Sequence, residues 1–100
     1  MDVIKVSKII PEDSVTRELV LIKVDAEPQV RSEIIHMAEI FRANIVDVSR
    51  KSMTIELTGD KNKISAFEEL LKPFGIKELV RTGIIAVNRG ANSIKIEEEN

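Results

Sequence analysis

The side chains able to do chemistry in this chain are few. Ser32, His36 and Glu39 are spaced four and three residues apart, which places a hydroxyl, an imidazole and a carboxylate on one face of a helix. Such a trio could serve as nucleophile, general base and orienting acid. The opposing reading is a solvated helix face, and it is the stronger one. Neighbours on the outward side of a single helix have no pocket around them, and no stretch of the sequence supplies an oxyanion hole. The chain has no cysteine and one histidine, so disulfides, thiolate nucleophiles and histidine-cluster metal sites are excluded. Glu97, Glu98 and Glu99 form an acidic run near the terminus. A hard cation needs about six oxygen ligands held in place, so the run reads as solvated charge. Arg89-Gly90 could touch a phosphate, yet phosphate loops need several glycines before a helix, and the four glycines here are far apart.

The turn at 25–30, Asp-Ala-Glu-Pro-Gln-Val, differs in kind. Asp25, Pro28 and Gln29 occupy a strand-to-helix turn, a place where small effectors are held in domains of this class. A plain helix start fits the same residues, since proline suits the first helical turn, where its missing N–H costs nothing.

The elements that must position these residues follow from periodicity. Residues 17–24, Arg-Glu-Leu-Val-Leu-Ile-Lys-Val, alternate Val20, Ile22 and Val24 with Leu19 and Leu21. Both faces therefore want cover, which predicts a central strand. From 28 to 42, Val30, Ile34, Met37, Ala38 and Phe41 share an arc of roughly 100° and predict an amphipathic helix. The stretch 44–58 reads as two short strands around a turn at Arg50-Lys51, with Val46, Val48, Met53, Ile55 and Leu57 facing inward. Asp60 caps a second helix over 61–72, in which Ile64, Phe67 and Leu71 align. Pro73-Phe74-Gly75 ends it. A last extended stretch runs over 76–88, with Gly83 marking a bulge or a close backbone approach.

This βαββαβ order predicts an α+β, ferredoxin-like (ACT-like) sandwich, a four-stranded antiparallel sheet with two helices on one face. One hundred residues make a single domain over 1–100, with an extended arm at 1–14 and an acidic tail at 91–100. The sheet face that the helices leave open would carry Leu19, Leu21 and Ile45 beside Thr54, Glu56 and Arg81. An apolar cluster rimmed by polar groups marks a contact surface; the other reading is scattered surface apolar residues.

Composition narrows the partners. A net charge of −2 argues against nucleic acid, whose phosphates call for a clustered basic surface. Trp and Tyr are absent, and the three phenylalanines fall on helices or a loop, so the strands display no aromatic on which bases could stack. No apolar run approaches the ~18 to 20 residues that span a bilayer, and the expected compartment is cytoplasmic.

Several blocks also resemble one family. Residues 17–24 (RELVLIKV), 40–49 (IFRANIVDVS), 55–64 (IELTGDKNKI), 73–83 (PFGIKELVRTG) and 87–90 (VNRG) are similar, in order and spacing, to the C-terminal half of the small, regulatory subunit of acetolactate synthase (acetohydroxyacid synthase). The resemblance covers roughly residues 3–92. It implies a non-catalytic partner in branched-chain amino acid (valine, leucine, isoleucine) biosynthesis, a homo-oligomer that contacts the catalytic large subunit. No cofactor is implied for this chain, because in that family thiamine diphosphate, magnesium and FAD sit in the large subunit. No stretch resembles the ACT domain with which the family's small subunit normally begins and which holds the feedback inhibitor valine. At the comparable turn, Pro28-Gln29 stands where an effector loop has Pro-Gly, which implies little or no valine binding by this chain alone. The rival readings are a stand-alone ACT-type amino-acid sensor and a small hydrolase or isomerase using His36 with Ser32 or Glu39.

Overall fold

The computed structural model describes residues 13–90; residues 1–12 of the expected arm at 1–14 and the acidic tail at 91–100 lie outside the described residues, and Ser14, expected in the arm, already belongs to a strand. The chain forms strand β1 (Ser14–Asp25), a 3-10 turn (Pro28–Val30), helix α1 (Arg31–Phe41), strands β2 (Asn44–Val48) and β3 (Ser52–Gly59), helix α2 (Lys61–Leu71), a second 3-10 turn (Lys72–Phe74), and strands β4 (Ile76–Arg81) and β5 (Ile85–Asn88). The sheet order is β2-β3-β1-β4, with every pairing antiparallel. That is the expected ferredoxin-like arrangement, with β1 in the middle.

Alternation explains the core. Val20, Ile22 and Val24 of β1 and Met53, Ile55 and Leu57 of β3 are buried beneath the helices. The helices answer with Ile34 and Ala38 from α1 and Ile64, Phe67 and Leu71 from α2. The Phe41 and Phe67 rings lie 5.0 Å apart, centre to centre, and join the two helices. Asp60 caps α2 as expected, its Oδ1 accepting from the Lys63 N–H at 2.9 Å. α1 ends differently: Arg42 takes a left-handed conformation (φ 59°) and its N–H reaches the carbonyls of Ala38 and Glu39.

Two bulges correct the expected faces. Ile45 lies opposite Ile55, but the next pair is Asp47 with Thr54, so Val46 is an extra residue and the alternation inverts. Ile45 therefore packs on the core rather than on the open face, while Val46 is 51% exposed. In β4, Val24 lies opposite Ile76 but Lys23 lies opposite Glu78, which leaves Lys77 as the extra residue. Leu79 and Arg81 turn to the helix side as a result, opposite Ile22 and Val20, and Val80 turns outward. Arg81, expected on the open face, instead brings its guanidinium to 3.6 Å from Glu68 of α2 and 4.0 Å from the nearly buried Glu18.

β1 also begins earlier than its sequence pattern suggests. Residues 14–17 pair with β5, from Ser14 opposite Asn88 to Arg17 opposite Ile85. β3 stops opposite Glu18, so among the described residues this part of β1 has a strand on one side only. The expected final stretch over 76–88 is thus two strands, and its second half forms a two-stranded ribbon beyond the four-stranded sheet.

Candidate functional site: the two ends of the central strand

At its C-terminal end β1 enters the turn that the sequence nominated for an effector. The Asp25 carboxylate is 3.3 Å from Lys77 Nζ, both side chains about half exposed. Its backbone N–H donates to the Gly75 carbonyl at 2.9 Å. Gly75 takes a conformation that favours glycine, with φ at +101°, and a Cβ there would lie 2.5 Å from Asp25 Oδ2 and displace that carboxylate. Pro28 and Gln29 are exposed within the 3-10 turn. Asp25 is thus committed to β4, whereas Pro28 and Gln29 face solvent.

The residue that closes this turn is Arg31, which the sequence reading did not single out. Its Nε donates to the Ala26 carbonyl at 2.8 Å, and its Nη2 donates to the carbonyls of Ser49 and of Arg50, the latter at 2.6 Å. The Ala26 N–H donates to the Lys51 carbonyl at 2.7 Å. An amino-acid ammonium would seek such carbonyls, and a guanidinium already occupies them. A signal was present in the letters, because an arginine at the start of a helix opposes the helix dipole. A cation in that position needs local acceptors.

The N-terminal end of β1 is different. On the sheet face away from the helices, Leu19 lies opposite Thr58, and Leu21 lies between Glu56 and Val80. Lys23 follows, ion-paired with Glu78 at 3.1 Å. The same face continues onto the ribbon through Arg17 with Ile85 and Val15 with Val87. Exposure is 39% at Leu21, 60% at Val80, 72% at Ile85 and 58% at Val87. A hollow of about 370 Å³ opens between ribbon and sheet, lined by Arg17, Glu18, Leu19, Thr58, Thr82 and Ile85. Of the expected interface residues, Leu19 and Leu21 lie on this face and Ile45 and Arg81 do not.

The junction of ribbon and sheet is fixed by hydrogen bonds. The Thr82 N–H donates to the Leu19 carbonyl at 3.0 Å, and Thr82 Oγ1 accepts from the Leu19 N–H at 3.1 Å. The Gly83 N–H donates to Glu18 Oε2 at 3.2 Å, with Gly83 at φ +94°. Sequence reasoning missed Val15, Val80, Ile85 and Val87. The available signal was the uncharged run at 82–88, Thr-Gly-Ile-Ile-Ala-Val-Asn, on what proves to be an edge strand, where charges normally guard against pairing.

The remaining candidates stay apart from both places. Ser32, His36 and Glu39 are all exposed on α1, so the trio lacks the enclosure that nucleophilic catalysis requires. Among the described residues there is no group of three or more His, Asp or Glu side chains placed to hold a metal ion. No helix of the described residues is long and apolar enough to cross a membrane.

Comparison with known proteins places this chain. Residues 17–90 match the family described as the small subunit of acetolactate synthase. A probable acetolactate synthase small subunit of Archaeoglobus fulgidus is 57% identical over 90 residues, which is 90% of this chain and 56% of that protein. The acetolactate synthase small subunit of Bacillus subtilis is 53% identical over 90 residues, 90% of this chain and 52% of its own length. The crystal structure of the Thermotoga maritima acetolactate synthase small subunit superimposes with a TM-score of 0.75 at 46% identity, covering 81% of this chain and 50% of that one. This chain therefore spans about half the length of the relatives it matches. By the extent of the family match and the shared fold, the chain belongs to the acetolactate synthase small subunit family.

Proposed function

We propose that this chain is a non-catalytic, regulatory domain in branched-chain amino acid biosynthesis, acting through contact with the catalytic subunit of acetolactate synthase. The observation that carries the reading is the family match over residues 17–90. Exposed Ser32, His36 and Glu39 and the committed polar groups of the 25–31 turn support it. Condensing two 2-oxo acids needs an electron sink, which is the chemistry of a cofactor rather than of any side chain here; thiamine diphosphate, magnesium and FAD belong to the catalytic subunit in this reading. A regulatory domain changes its partner's rate only by binding one conformation more tightly, and ~1.4 kcal/mol of preference shifts that equilibrium tenfold.

The stand-alone amino-acid sensor is disfavoured by Arg31, whose guanidinium takes the carbonyls of Ala26, Ser49 and Arg50. The test mixes purified chain with the catalytic subunit and assays acetolactate from pyruvate with and without valine. The chain alone forms no product, and its effect on the catalytic subunit is small and insensitive to valine. Product from the chain alone, or strong valine-reversible activation, would overturn the proposal.

A further inference from the structure

We infer that the ribbon is a hinged arm that swivels at Gly83 and Ile84, that Glu18 is the latch holding it, and that Arg81 ties the latch to helix α2. The inference does not depend on the proposed role.

The hinge follows from the register. Val20 lies opposite Arg81, and Thr82 bonds Leu19 through both its backbone and its side chain, so Gly83 falls opposite Glu18. On the ribbon, however, Arg17 lies opposite Ile85. Ile84 is therefore an extra residue between two stretches that pair with the same strand, β1. Gly83 beside it has φ +94°, a conformation that favours glycine, yet a Cβ there would meet nothing within 4 Å. Glycine at this position serves the path of the backbone and not a close approach. β3 has already stopped at Gly59, opposite Glu18. Among the described residues, the ribbon is thus carried by β1 and by this break alone.

The latch follows from the polar contacts. The Leu19–Thr82 bonds lie on the sheet side of the hinge and leave the ribbon free to turn. The Thr82 hydroxyl donates to the Gly83 carbonyl at 2.9 Å, a bond within the hinge segment itself. The grip from the sheet comes from Glu18, whose Oε2 accepts from the Gly83 N–H at 3.2 Å. Arg81 Nε lies 4.0 Å from the same oxygen, and Arg81 Nη2 lies 3.6 Å from Glu68 Oε1 on α2. The two carboxylates use different nitrogens, so Glu68 anchors the guanidinium beside Glu18 rather than competing for it. A nearly buried carboxylate is costly to strip of its donors, which favours the latched setting. That setting fixes the direction in which Ile85 and Val87 are presented and the width of the hollow between Leu19, Thr58 and Ile85. A contact that draws Arg81 away from α2 weakens the grip on the arm, and the coupling acts equally in reverse.

The test measures the distance from ribbon to sheet. Because the chain has no cysteine, spin labels at Thr58→Cys on β3 and Val87→Cys on β5 report one separation within each molecule once labelled chain is diluted into unlabelled chain. The otherwise unmodified chain gives a single narrow distance. Glu18→Gln keeps a carbonyl for the Gly83 N–H and retains that distance as the main one. Glu18→Ala adds a second distance, the swung form gaining about tenfold or more over the latched one. Glu68→Gln, a change on α2 with no contact to the ribbon, shifts the population the same way by a smaller factor, and E18A/E68Q goes no further than E18A. Arg81→Gln gives the same reading as E18A and replaces it if that variant does not fold. An unchanged distance in E18A or R81Q overturns the latch. An E68Q without effect, or one whose effect persists in full on top of E18A, overturns the tie to α2.

Discussion

The two ends of β1 present opposite chemistry. At the C-terminal end, Ala26 is fully buried and the surrounding carbonyls are bonded by Arg31, while Asp25 is paired with Lys77. At the N-terminal end the backbone is equally well fixed, by Thr82 on Leu19 and Gly83 on Glu18, yet the side chains above it, Ile85 and Val87, remain 72% and 58% exposed. Polar groups have found partners at one end, and apolar groups still lack them at the other. A turn whose donors and acceptors are already matched gains little from a small polar ligand, whereas an apolar strip on a rigid strand gains from any matching surface. Under the proposed function, the difference points to the ribbon end as the contact surface and to the 25–31 turn as a structural joint.

The largest effect should come from neither end. Phe67→Ala removes the ring that meets Phe41 at the centre of the helix layer, and it should cost about 3–5 kcal/mol in urea denaturation. The comparison is sharpened if that loss leaves the affinity between folded copies unchanged. Arg31→Ala should cost about 1–2 kcal/mol, because it leaves the part-buried Ala26 carbonyl without its charged donor. Self-association should again stay the same. If R31A both keeps its stability and acquires a valine site by calorimetry, the turn is an effector pocket that arginine merely fills.

The smallest effect concerns a pair remote from both ends. Lys72 Nζ donates to Glu69 Oε2 at 2.7 Å. That hydrogen bond and the Glu69 charge, with a smaller contribution from Glu68 and against some desolvation, hold its pKa above the ordinary 10.5. A pKa raised by folding means that the contribution is fully present below the unfolded value and is lost as pH rises through the folded one. Lys72→Met should therefore lower thermal stability slightly at neutral pH, with the difference from the parent closing above pH 10.5. A difference that widens in alkali would contradict the assigned partner.

Much of the fold was legible because periodicity is a local property. Val20, Ile22 and Val24 on one face, the Ile64, Phe67 and Leu71 stripe, and the Asp60 cap can all be read from neighbouring letters. The candidate surface was legible only in its centre, at Leu19 and Leu21. Ile45 and Arg81 were assigned to the wrong face because Val46 and Lys77 are bulged, and one extra residue inverts the faces on one side of it relative to the other. A bulge depends on the partner strand's register, which no single segment encodes. The ribbon was hidden for a related reason: residues 14–17 become strand by pairing with 85–88, far away in the chain. Arg31 went unnoticed because its partners lie on a hairpin turn 18 and 19 residues away, as well as on the nearby Ala26.

The central contrast is tested most directly by amide hydrogen exchange on the unmodified chain at low and high micromolar concentration, with and without valine. The ribbon strands, 14–17 and 85–88, should exchange more slowly at the higher concentration, as fraying is suppressed in the paired copies. The 26–31 turn should exchange at the same rate in all four samples. Concentration-independent exchange in the ribbon, together with valine-dependent protection of the turn, would reverse the assignment of the two ends.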